Sequence, residues 1–119
     1  MPNHINQRIA FLRKLVKAGF HEENLDKMVV ECGSLAQDTS YVLTFFVLKH
    51  LFAEISAVLE GEAVNLERFK ALTSEIGEPI DVILDKVINN EEVRFNDLES
   101  VVRVQIHNLN VFRSDRQGF

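Results

Sequence analysis

The sequence holds one cysteine, no tryptophan, two prolines and five glycines in 119 residues. A lone Cys32 excludes an intrachain disulfide and any thiolate-rich metal cage, and it fits a reducing, cytoplasmic setting. The scarcity of proline and glycine, with no low-complexity run, argues against a disordered chain. The N-terminal stretch MPNHINQRIAFLRKL lacks the apolar run and small-residue cleavage site of a secretory signal. Acids are missing from residues 1–21, where Arg8, Arg13, Lys14 and Lys17 stand alone, and all but one of the 18 acids fall within residues 22–99. A net charge of −5 counts against a surface built for phosphate backbones.

Apolar residues make up 46% of the chain and charged residues 26%, the balance of a packed soluble domain. The length suits a single core, so residues 1–112 read as one helical domain and 113–119 as a frayed C-terminal tail. Every segment repeats at helical period and none alternates like a strand. A first helix spans about 3–18, with Ile5, Ile9, Leu12 and Val16 on one stripe; Gly19 ends it, and Phe20 is placed to pack back on Leu15. A second begins near Glu22 and carries Leu25, Met28, Val29, Cys32 and Ala36 inward, with Gly33 expected to weaken or end it.

Asp38, Thr39 and Ser40 offer caps for a third helix running to Glu60 and stopping at Gly61, expected to be the longest element. Asn65 caps a fourth that closes at Gly77, and Pro79 opens a fifth, in which Asp81 and Asp85 face outward. Asn96 with Glu99 has capping-box spacing for a sixth helix to about Phe112. The expected fold is an all-α, single-domain bundle of five or six helices around a long central helix at about 40–60.

That central helix begins with YVLTFFVLKHLF, in which Thr44, Lys49 and His50 are the only residues without an apolar side chain. Tyr41, Phe45, Leu48, Leu51, Phe52, Ile55, Val58 and Leu59 make one broad stripe for a core, and Val42, Leu43 and Phe46 fall outside it. Such a surplus on a small soluble domain marks either more intrachain core or a contact with a second copy. The sixth helix has a wide apolar arc that encloses Gln105. The expected homodimer interface is therefore Val42, Leu43 and Phe46, with Val104, Gln105 and Val111. The length of 41–59 nearly suits a membrane span, but Lys49, His50 and Glu54 near its middle favour a soluble buried helix.

Convergent polar chemistry is scarce. His50 and Glu54 share a helix face at i, i+4, yet two ligands do not make a metal site, and neither paired Glu-x-x-His nor His-Glu-x-x-His occurs. Cys32 lies on an inner stripe and reads as core. No Gly-rich phosphate loop or Gly-x-Ser-x-Gly elbow is present. No catalytic residue, metal ligand or cofactor is expected.

Residues 72–87, LTSEIGEPIDVILDKV, open in a way that resembles a helix-turn-helix, but Glu78 stands where an apolar residue belongs. Asp81 and Asp85 also occupy the positions where phosphate contact wants Lys or Arg. The expected function is a small, non-enzymatic interaction or regulatory module acting through apolar helix surfaces. Two alternatives carry residues of their own. One is a small-molecule sensor with an aromatic pocket at Phe45, Phe46, Phe52 and Phe69; the other is nucleic-acid binding through an anion-binding face at Arg13, Lys14 and Lys17.

Overall fold

The computed structural model describes residues 2–61 and 66–103, with side-chain surroundings for 4–60 and 75–103. Among the described residues there are five helices and no strand: α1 (Pro2–Ala18), α2 (Glu22–Asp38), α3 (Val42–Gly61), α4 (Leu66–Ile88) and α5 (residues 95–103). The tail at 113–119 lies outside the described residues.

α1 begins at Pro2, whose fixed φ and missing N–H suit a first turn. Its Ile9, Leu12, Leu15 and Val16 are buried. Gly19 stops it at φ 113°, a left-handed conformation that a side chain would strain. Phe20 then turns into the core, where its ring lies 6.1 Å from that of Phe52.

α2 has Glu22 and Glu23 in its first turn and buries Leu25, Met28, Cys32 and Leu35. Gly33 does not end it: the helix runs on to Asp38, and Lys49 of α3 lies across Gly33, its Nζ 3.6 Å from where a Cβ would stand. The short connection at 39–41 is held by Thr39, whose hydroxyl donates to Leu35 O at 2.7 Å and accepts the Tyr41 N–H at 3.2 Å. α2 and α3 therefore form an antiparallel hairpin.

The largest departure from expectation is α4. Gly77 and Pro79 were expected to separate two helices, but both lie inside one continuous helix. Proline in a helix interior costs about 3 kcal/mol. Ile76, Ile80, Ile83, Leu84 and Val87 form one buried stripe across the Gly-Glu-Pro step, and burial of each is worth about 1.5–3 kcal/mol. Tertiary burial outweighs the local break. No turn follows Ile76, so the likeness to a helix-turn-helix ends there. At 23 residues α4 is also longer than α3 at 20, contrary to expectation.

α4 closes with Asn90 in the left-handed region, φ 58°. Asn90 N–H donates to Val87 O at 3.1 Å and Glu91 N–H to Lys86 O at 2.8 Å, the paired bonds of a Schellman end. α5 then starts earlier than its expected cap at Asn96. Asp97 reaches back to the Arg94 N–H at 2.9 Å, so the capping residue is Asp97 and not Glu99.

The core gathers Ile9, Leu12, Met28, Leu35, Phe45, Leu48, Phe52, Ile55, Ile76, Ile80, Leu84, Leu98 and Val101 from all five helices. Ion pairs bind the helices at their rims. Arg8 of α1 meets Glu31 at 3.2 Å and Asp38 at 2.9 Å, and also donates to Ser34. Arg13 meets Asp81 of α4, and Lys86 meets Asp97 of α5 at 2.8 Å.

Candidate functional site

α3 is apolar on two sides, and only one is spent on the core. Phe45, Leu48, Phe52 and Ile55 are wholly buried, with Thr44, Leu51 and Val58 almost so. The opposite side begins with Val42, Leu43 and Phe46, which keep 55%, 59% and 51% of their surface exposed. Further along the same side come His50, Ala53 and Ala57, all exposed. From Leu43 these residues follow at alternating steps of three and four, so they make one straight stripe along the helix.

The His50 ring stands edge-on to Phe46, with centroids 4.5 Å apart at 72°. This histidine therefore continues the side of α3 that Phe46 begins. The signal that sequence reasoning passed over is the pair of alanines, which continue the stripe without adding obvious hydrophobicity. Val30 of the neighbouring α2 is also exposed, at 70%.

By length and composition Val42–Glu60 is long and apolar enough to cross a membrane, with 44% of that window buried inside the protein. Lys49, His50 and Glu54 interrupt it near the middle.

A second region surrounds Tyr41. Its hydroxyl donates to Glu91 O at 2.8 Å and so ties the α2–α3 connection to the α4–α5 connection. Open clefts of about 360 and 440 Å³ lie against it, sharing Ser40, Tyr41 and Asn90. Glu91 and Glu92 line the first, Asn6 and Asp38 the second.

The other sequence-designated residues fall in different places. Phe45 and Phe52 are core side chains with no exposed surface. The side chain of Phe69, and Val104, Gln105 and Val111, lie outside the described residues. Arg13 does not stand free beside Lys14 and Lys17. It donates to both carboxylate oxygens of Asp81, at 2.7 and 2.9 Å, and approaches Asp85 at 3.5 Å. These hydrogen bonds hold the Asp81 carboxyl below the usual carboxylate range, against the opposing effect of its partial burial. Lys14 and Lys17 remain exposed. Asp81 and Asp85 do lie on the solvent-facing side of α4, as expected, and from there they also pair with α1.

Cys32 is wholly buried, and burial pushes its thiol up to about 12. At neutral pH it is a protonated core side chain and no nucleophile. Among the described residues no three His, Cys, Asp or Glu side chains are grouped to hold a metal ion. Among the described residues, the outer side of α3 carries Val42, Leu43 and Phe46, three of the seven large hydrophobic side chains that are exposed.

Comparison with protein-family models, with curated proteins and with solved structures gives no match for this chain.

Proposed function

We propose that the protein is a small, non-enzymatic interaction module that acts as a homodimer through the outer face of α3. The single observation that carries this reading is the run of half-exposed Val42, Leu43 and Phe46 continuing into His50, Ala53 and Ala57. A contiguous apolar face of this kind on a small domain is covered in use, because water contact with it is unfavourable by about 25 cal/mol per Å². Covered by a second copy, α3 becomes the central element of the assembly, with core on one side and interface on the other. A cytoplasmic setting accords with Cys32 as a protonated buried thiol.

The test is the double variant Leu43→Asp, Phe46→Asp. Both side chains are already half in water in the single chain, so the variant keeps its helical circular dichroism. Pairing would bury four carboxylates without partners, so the variant sediments as a monomer where the wild type sediments as a dimer. A wild-type protein that is monomeric at high micromolar concentration refutes the reading. So does a variant that unfolds, which would make Leu43 and Phe46 part of the intrachain core.

A further inference from the structure

We infer, resting on the homodimer reading above, that two copies pair through α3 in antiparallel register, about a twofold axis passing between His50 and Ala53. Side-chain size favours this register. Along the stripe the large side chains, Leu43 and Phe46, occupy the first turns; His50 stands in the middle, and the small ones, Ala53 and Ala57, occupy the last turns. A parallel pair would set Phe46 against Phe46 and alanine against alanine, crowding one end and leaving a void at the other. Antiparallel pairing seats each Phe46 on the mate's Ala57 and each His50 on the mate's Ala53. From Phe46 to Ala57 the face is then complementary to itself, as a twofold interface must be, while each Leu43 falls at the end of the seam, level with the mate's exposed Glu60.

Polar groups beside the stripe favour it as well. Glu54 is exposed and flanks the stripe beside His50 and Ala53. In the antiparallel register each His50 comes beside the mate's Glu54, so donors and carboxylates alternate around the axis. The two helix dipoles also run in opposition, which is the favourable arrangement for adjacent helices. Val30 of the neighbouring α2 is exposed as well, and contact between each α2 and the mate's α2 would widen the seam toward the ~800 Å² per partner that a stable dimer takes.

The test separates this register from the dimer itself. Ala57 is exposed, so Ala57→Phe folds, but it sets phenylalanine against the mate's Phe46 and weakens self-association at least about tenfold in sedimentation equilibrium. Phe46→Ala removes the knob and weakens it comparably. The double variant exchanges knob and hole and recovers the wild-type dissociation constant to within about threefold, a coupling that only contacting positions show. In a Cys32→Ala background and with oxidised glutathione as the oxidant, a mixture of Phe46→Cys and Ala57→Cys proteins forms a disulfide between the two variants, and neither variant alone links to itself. A Phe46→Cys protein that links to itself, or a double variant that stays as weak as its parents, overturns the antiparallel register while leaving the dimer. A monomeric wild type overturns the dimer as well.

Discussion

The guanidinium of Arg13 and the carboxylate of Asp81 meet in two parallel hydrogen bonds, at 2.7 and 2.9 Å, and clamp α1 to α4. Both side chains retain some contact with water, at 24% and 35% exposure, so the pair is worth less than a buried one. Arg13→Ala is expected to cost about 1–2 kcal/mol, read from the urea midpoint, because the bidentate geometry exceeds an ordinary surface pair. An unchanged midpoint would show that the clamp contributes nothing to stability.

Acid sensitivity follows from the same carboxylate and from Asp97. Hydrogen bonds from Lys86 and from the Arg94 N–H hold Asp97 below the usual range, as Arg13 does Asp81. A depressed folded-state pKa gives stability that is present above the unfolded value of about 3.9 and is lost as pH falls through the folded value. Unfolding free energy should therefore fall below about pH 4. In the variant Asp81→Asn, Asp97→Asn the fall is shallower and the starting value lower, so the two curves converge toward acid. Parallel curves would remove these two residues as its cause.

Cys32 tests the packing of the α2–α3 hairpin. With its thiol raised to about 12 and no exposed surface, it should resist a thiol reagent at pH 8 and react at once in denaturant. Because the folded value lies above the unfolded one, its contribution to stability is whole below about pH 8.5 and declines as pH rises toward the folded value. Rapid modification of the native protein at pH 8 would contradict the closed core.

Two glycines should respond in opposite senses to alanine. Gly77 is helical and an added Cβ would meet nothing within 4 Å, so Gly77→Ala should gain about 0.5–1 kcal/mol. Gly19 holds φ +113° with the His21 ring 3.3 Å from the would-be Cβ, and Gly19→Ala should lose about 1 kcal/mol or more. Thermal unfolding of both variants checks the pair. Equal effects would mean that the backbone at Gly19 is not left-handed.

The helical class was legible because periodicity and burial agree: Ile9, Leu12, Met28, Phe45 and Phe52 were all placed inward and all are buried. Boundaries failed where a local signal competed with long-range packing. Gly77 and Pro79 carry the strongest stop signal in the chain, yet the stripe from Ile76 to Val87 continues past it, and a window a few residues wide cannot weigh that burial. The cap of α5 was misplaced because Asp97 serves Lys86, eleven positions back, as well as the Arg94 amide. Arg13 was legible as a charge but not as a partner of Asp81, since nothing in spacing joins residues 68 positions apart. The large members of the α3 stripe were visible as surplus; its small members, Ala53 and Ala57, were not, because alanine reads equally well as exposed filler.

The connection from α4 to α5 has a mechanical consequence. The left-handed Asn90 closes one helix, Asp97 opens the next, the Lys86 ammonium bridges them, and the Tyr41 hydroxyl pins Glu91 from the side. Turns fastened at so many points do not flex as hinges. A load applied to α5 passes through Asp97 into the last turn of α4, and through Tyr41 into the start of α3. The joint is a bracket: α5 tilts only if α4 tilts with it, or if Lys86 and Tyr41 let go together.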